Sequence, residues 1–151
     1  MPDLLRRLLE PRVAAGLILL AGGATILGAL YVEHGVGLLP CKLCLQQRWP
    51  YYIGLPLAGL AIAAAWLGTR ATARGALAFV ALVFLAGAGL GAYHAGVEWG
   101  FWLGPNDCGG AAAPAMTGVG DLLKQLQTVR VVSCTEAAWR VLGISMAGWN
   151  A

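Results

Sequence analysis

The sequence has very few charged residues. Asp, Glu, Lys and Arg together make up 11% of its 151 residues, whereas a typical globular domain has roughly a quarter. Hydrophobic residues make up 59%, and the mean hydropathy is +0.72. Because a chain this small cannot cover so much apolar surface with polar side chains, the composition excludes an ordinary water-soluble domain and favours a membrane protein.

Other absences narrow the function. No basic run interleaves with aromatic residues and the formal net charge is only +3, so a nucleic-acid partner is excluded. The chain contains no nucleotide-binding fingerprint, which disfavours a dinucleotide cofactor. Its length has room for one domain. It has four cysteines, an even number, and the compartment they face decides whether they are structural, metal-binding or redox-active.

Three uncharged stretches predict transmembrane helices at about 13–32, 49–69 and 75–97. Each is long enough to cross a hydrocarbon core of about 30 Å. We therefore predict an all-α membrane protein built as a transmembrane helical bundle. The first stretch lacks a small-x-small cleavage site, so we interpret it as a retained anchor. Gly87 and Gly91 form a GxxxG pair, which predicts close helix packing within the chain.

Arginines in the short connections predict the orientation. They lie before the first span and between the second and third: Arg6, Arg7, Arg12, Arg70 and Arg74. Under the positive-inside rule these segments are cytoplasmic. The connections at about 33–48 and 98–143 then face the periplasm and carry all four cysteines, in a compartment where disulfides persist.

The second periplasmic connection is too long to be a simple loop. Its Gly109–Gly120 segment is rich in Gly, Ala and Pro and predicts mobile chain, and Asp121–Leu126 predicts a short amphipathic helix. The run Trp139–Trp149 resembles the approach to a fourth span that the sequence does not contain.

Cys41 and Cys44 form a CxxC motif. No strand–helix pattern surrounds it, no His follows Cys44 as haem attachment requires, and Cys108 and Cys134 are too far apart for a typical four-cysteine zinc site. A redox pair at a helix start fits best, because that spacing permits an exchangeable ring and the helix N-terminus favours a thiolate. A purely structural disulfide is the alternative.

Three polar residues near the predicted spans are functional candidates. Arg48 lies four residues after Cys44, so on one helix the two would share a face and the guanidinium would stabilise a Cys44 thiolate. An arginine that reaches to lipid headgroups is the alternative. His94 and Glu98, also four apart, suggest a proton route, or else a pair of interfacial polar side chains.

The segment Pro40–Cys44, followed by Gln47 and Arg48, resembles the first periplasmic loop of the disulfide bond formation protein B (DsbB) family. The later segments resemble the same family in the same order: Tyr93–Glu98, the pair Cys108 and Cys134, and Leu142–Met146. The resemblance covers nearly the whole chain. The family has four spans, so we expect the fourth to be missing from this sequence or truncated.

The resemblance implies a quinone-dependent thiol oxidoreductase of the bacterial inner membrane. A reduced periplasmic thioredoxin-fold oxidase (DsbA-like) would attack Cys108, with Cys134 as the partner sulfur that links transiently to Cys41. Cys44 would then be a thiolate beside a bound quinone, ubiquinone or menaquinone, with Arg48, His94 and Glu98 around it.

No resident metal is expected from the resemblance. Two other functions remain open. One is a non-enzymatic membrane scaffold with two structural disulfides, and the other is a metal-binding membrane protein that uses the thiolates.

Overall fold

The structure, a computed structural model, describes residues 8–105, 130–131, 133–137 and 139–151. Several predicted features lie outside the described residues: Arg6, Arg7, Cys108, the segment 109–120 and the amphipathic helix 121–126.

The described residues form five helices and four very short strands. The helices are α1 (Pro11–His34), α2 (Lys42–Gln46), α3 (Trp49–Trp66), α4 (Arg70–Glu98) and α5 (Met146–Asn150). The strands are β1 (Leu38–Leu39), β2 (Arg130–Val131), β3 (Arg140–Val141) and β4 (Ile144–Ser145).

Among the described residues, α1 and α4 are the helices long and apolar enough to cross a membrane. Only 11% and 17% of their most apolar windows are buried, unlike the core helix of a soluble protein. Large side chains face outward instead, such as Leu20 at 74% and Leu85 at 66% exposure. Lipid is the solvent that accommodates such a surface. The second predicted span corresponds to α3, which does not meet the same criterion, so that span stays a prediction.

The boundary between the second and third predicted spans differs from the prediction. The helix α3 ends at Trp66, and α4 begins at Arg70, so Arg70 and Arg74 lie inside a helix rather than in a link. Gly68, with a φ of +83°, ends α3 in a conformation that glycine adopts without strain. We did not predict the charged start of α4, because we placed the start of the third span directly after Arg74, the last charged residue before it.

The chain divides into two compact units. The first unit comprises Met1–Gly28 and Arg48–Gly87. Its core consists of small residues, with Ala15, Ala58 and Ala61 fully buried. A Cβ added to Gly54 would lie 2.6 Å from the Phe84 ring, so the helices approach closely where side chains are smallest.

One end of the first unit carries Arg12, which lies in the first turn of α1. The Arg12 guanidinium donates a 2.9 Å hydrogen bond to the Ala65 carbonyl and lies over the Trp66 ring, 4.6 Å from its centroid. Arg12 therefore lies at the same end as the turn that leads to Arg70. If both arginines are cytoplasmic, as predicted, they must lie at the same end of these helices.

The second unit comprises Ala29–Gln47 and Ala88–Ala151. It contains the strands, which correct the all-α prediction. Strands β1 and β2 pair in parallel, and β3 and β4 form a hairpin. The hairpin turns through Leu142 at φ 53° and Gly143 at φ 82°, the left-handed pair typical of a two-residue hairpin turn. Strands of two residues have no periodicity to detect.

The C-terminal part of the second unit packs closely on α4. A Cβ added to Gly91 would lie 2.9 Å from backbone atoms of Asn150 and Ala151. This close contact confirms the intramolecular packing predicted for Gly91. The run Trp139–Trp149 contains a hairpin followed by α5, because Gly143 reverses the chain and Ser145 caps a new helix. Its interpretation as the approach to a fourth span stays a prediction.

Candidate functional site

The two cysteines of the CxxC motif lie at the start of α2. Cys41 is the N-cap, and its sulfur accepts a 3.2 Å hydrogen bond from the Cys44 amide. Cys44 lies in the first turn, as predicted, and the two sulfur atoms are 2.8 Å apart. Both are free thiols, so the structure is that of the reduced pair. Small movements of the sulfurs alone would bring them to disulfide distance.

Cys134 joins this pair from a distant part of the chain. It is 1% exposed and packs in one buried cluster with Cys41, Leu43 and Val97. Backbone N–H groups of Leu43 and Lys42 donate hydrogen bonds to its sulfur. The first amides of α2 therefore point at the sulfurs of Cys41 and Cys134, where sequence reasoning expected them to favour Cys44.

The three thiols differ in acidity. The hydrogen bond that Cys41 donates to Cys44, together with burial, raises the pKa of Cys41 to about 12. The same hydrogen bond lowers the pKa of Cys44 and outweighs burial. Burial raises the pKa of Cys134. Cys44 is therefore the most acidic of the three described thiols, in the predicted direction, although the largest cause is the neighbouring thiol.

His94 and Glu98 occupy the last turn of α4, next to the thiols. The His94 Nε2 lies 3.8 Å from the Cys41 sulfur and 3.9 Å from the Glu98 Oε1. Their side chains are 3% and 5% exposed, and the Glu98 Oε2 has no hydrogen-bond partner among the residues that the structure describes. Glu98 is also close enough to Cys44 to raise its pKa. Burial of this depth disfavours the interpretation of the pair as interfacial side chains.

Two amide side chains that sequence reasoning missed hold His94. Gln47 is buried, and its Nε2 lies 2.6 Å from the His94 Nδ1. Asn150 donates a 2.7 Å hydrogen bond to the Gln47 Oε1. With Nδ1 as the acceptor, the Nε2 carries the ring proton and faces Cys41 and Glu98. The position of Gln47 beside Arg48 was a signal that it belongs to the site, but nothing in the sequence indicates Asn150.

Arg48 is half-buried and precedes α3, whereas α2 already ends at Gln46. The single helix on which Cys44 and Arg48 would share a face is therefore interrupted at 47–48. Arg48 belongs to the first unit and Cys44 to the second, so their cooperation stays a prediction. Cys108 lies outside the described residues.

An open cavity of about 530 Å³ adjoins the end of α4. The residues that line it include Glu98, Trp99, Phe101, Trp102 and Thr135. Thr135 directly follows Cys134, so the cavity lies near two residues of the site.

Comparison with known proteins assigns the chain to a family. The model of the disulfide bond formation protein DsbB family matches residues 11–151. "Disulfide bond formation protein B" of Marinobacter nauticus is 33% identical, over 90% of this chain and 80% of that protein. "Disulfide bond formation protein B 1" of Pseudomonas aeruginosa is also 33% identical, over 95% of this chain and 87% of that protein.

No solved structure matches the chain significantly. The family model and the relatives confirm the resemblance seen in the cysteine motif. Together with the two candidate spans, they identify a membrane protein. The chain belongs to the disulfide bond formation protein B family.

Proposed function

We propose that this protein re-oxidises a periplasmic thioredoxin-fold dithiol oxidase (DsbA-like) and passes the electrons to a membrane quinone. The observation that carries the proposal is the convergence of Cys134 on the CxxC pair: the Cys41 and Cys134 sulfurs lie within 4.8 Å of each other. Two independent structural disulfides would not need to lie close to each other. A relay between two cysteine pairs requires this proximity, because a thiolate must reach the disulfide that it attacks.

The soluble partner enters through Cys108. Cys41 and Cys134 are each only 1% exposed, so a protein thiolate cannot reach them. The partner thiolate attacks Cys108 in the Cys108–Cys134 disulfide, forms a mixed disulfide with it, and releases Cys134 as a thiolate. The second thiol of the partner then attacks the mixed disulfide, which frees Cys108 and leaves the partner oxidised.

Cys134 passes the electron pair inward. Its thiolate attacks Cys41 in the Cys41–Cys44 disulfide, so a Cys41–Cys134 bond forms and Cys44 leaves as a thiolate. In that state Cys41 no longer has a proton to donate to Cys44. The Cys41 backbone amide, which also lowers the Cys44 pKa, and the charge of Arg48 then stabilise the thiolate.

The residues around Cys44 fit a quinone. Glu98 lies close enough to Cys44 to raise its pKa and is one of the residues that line the cavity. Its buried Oε2 has no hydrogen-bond partner within the described part of the chain. Bound there, a ubiquinone or menaquinone would supply a lipid-soluble acceptor for two electrons and two protons. Arg48 would donate hydrogen bonds to a carbonyl oxygen, while the His94 Nε2 and Glu98 Oε2 would hold the protons.

The inner membrane is the proposed location, with the cysteine-bearing connections in the periplasm. The support is the shared end at which Arg12 and the turn before Arg70 lie. Positive charges of that kind stay in the cytoplasm.

The test is to trap the mixed disulfide. In Cys134→Ser, Cys108 has no disulfide partner, so it is first activated with an aromatic disulfide; a reduced thioredoxin-fold partner that retains only its attacking cysteine should then displace the aromatic thiol and remain attached to Cys108. Cys108→Ser, treated identically, should trap no partner and should abolish turnover. Non-reducing gels read both results. Equal bands without adduct from both variants would show that this pair is structural.

A further inference from the structure

A histidine nitrogen lies among the sulfurs of the reduced site. The Cys41 sulfur, the Cys134 sulfur and the His94 Nε2 all lie within 4.8 Å of one another, and all three residues are buried. Disulfide exchange uses the sulfurs alone. Thiols and imidazoles are also the ligand types that bind zinc, and here two thiols and one imidazole lie around a common point.

We propose that the fully reduced chain binds a zinc-type divalent cation through Cys41, Cys134 and His94. Bond lengths of about 2.3 Å to sulfur and 2.0–2.1 Å to nitrogen place tetrahedral ligand atoms roughly 3.5–3.8 Å apart. The Cys41 sulfur and the His94 Nε2, 3.8 Å apart, already lie near this spacing, and the Cys134 sulfur must move closer by at most about 1 Å. Cys134 lies in a turn rather than in a helix, so its side chain is the one that can shift most easily.

The surroundings of His94 are those of a metal ligand. A ligating histidine donates its other ring N–H to an orienting group, and Gln47 lies 2.6 Å from the His94 Nδ1. Rotation of the Gln47 amide presents its oxygen to Nδ1, and Asn150 can rotate in the same way to keep the second hydrogen bond. The Glu98 Oε2, which is buried and has no hydrogen-bond partner in the described ranges, offers negative charge to the cation.

Binding is an acid–base reaction without electron transfer. The cation replaces the protons of the two thiols, which are released to solvent, and His94 binds as the neutral ring. A disulfide at either cysteine removes a ligand, so only the reduced chain binds. A cation held there would in turn keep both sulfurs from exchange; this consequence rests on the proposed function, whereas binding itself does not.

Cobalt(II) is the probe, because thiolate coordination gives near-ultraviolet charge-transfer bands and a tetrahedral visible spectrum. Purified protein in detergent, reduced with a phosphine, should bind one Co²⁺ per chain and lose the bands when Zn²⁺ is added. The same preparation after oxidation to its disulfides should show none. Absence of thiolate bands in the reduced wild-type chain would overturn the proposal without mutagenesis.

Variants identify the ligands. His94→Gln should abolish the tetrahedral spectrum, whereas His34→Gln, a matched change at an exposed histidine of α1, should retain it. Cys108→Ser should also retain it. Gln47→Met should weaken binding by about 10- to 100-fold as an orienting residue. Loss with Cys108→Ser, or retention with His94→Gln, would mean that the cation binds other thiols and would contradict the proposal.

Quinone reduction, measured separately from cobalt binding, distinguishes failure of the cation site from failure of the proposed function. Metal-free protein should reduce quinone whether or not the cobalt spectrum forms, since no step of the relay uses the cation. Added Zn²⁺ should inhibit only when it is added to the reduced chain before quinone. Normal turnover with no cobalt bands would reject the cation site alone.

Discussion

The buried amide of Gln47 offers a direct test of the hydrogen-bonded chain that holds His94. Replacing Gln47 with Met keeps an unbranched side chain and removes its bonds of 2.6 Å to His94 and 2.7 Å to Asn150. A buried polar group that loses its partner costs about 1–3 kcal/mol. Two groups, on His94 and Asn150, lose this partner, so with roughly 1 kcal/mol regained from the apolar side chain the free energy of unfolding should fall by about 1–5 kcal/mol.

The neighbouring glutamine supplies the control. Gln46 lies in the same helix but is exposed, so Gln46→Met should change the free energy of unfolding by no more than about 0.5 kcal/mol. The assay is equilibrium unfolding of the reduced protein in mixed detergent micelles. A double variant of Gln47→Met with Asn150→Leu should lose less than the sum of the two single variants. Equal stabilities of the two Gln→Met variants would refute the assignment of the hydrogen-bonded chain.

Three further predictions concern reactivity and orientation. In the reduced protein at a pH below 9, Cys44 should be alkylated faster than Cys41 by roughly two orders of magnitude or more. The Cys41 pKa is about 12, and each pKa unit is a tenfold change in the thiolate fraction. Equal alkylation rates in peptide mass spectra would contradict the acidity assigned to the pair. Arg48→Met should slow quinone reduction at least about tenfold but leave the mixed disulfide at Cys108 intact, whereas Arg140→Met, at an exposed position, should change neither. A membrane-impermeant thiol reagent should label reduced intact cells, and labelling only after lysis would reverse the predicted orientation.

The sequence predicted the parts of the fold that follow from composition and charge. Apolar stretches located α1, α3 and α4 to within a few residues, because lipid-facing helices need long uncharged runs. The interior of the first unit was less predictable. Its contacts depend on which alanines and glycines face inward, and an all-apolar helix has no polar face to reveal this.

The candidate site was predictable where local spacing defines it. Cys41, Cys44, His94 and Glu98 belong to motifs within one turn of a helix, so their neighbours could be named. Contacts between distant segments could not be derived in this way. The placement of Cys134 on the first amides of α2 and the link from Asn150 through Gln47 depend on the hairpin and the Gly91 contact, which have no local signature.

Quinone reduction is the direct test of electron transfer from the partner dithiol to a quinone. Purified metal-free protein, the reduced thioredoxin-fold partner and ubiquinone or menaquinone are mixed, and quinone absorbance and partner thiols are followed together. We expect one quinone to be reduced for each partner disulfide formed, and no quinone to be reduced with Cys44→Ser. Partner oxidation without loss of quinone, or unchanged turnover in Cys44→Ser, would contradict it.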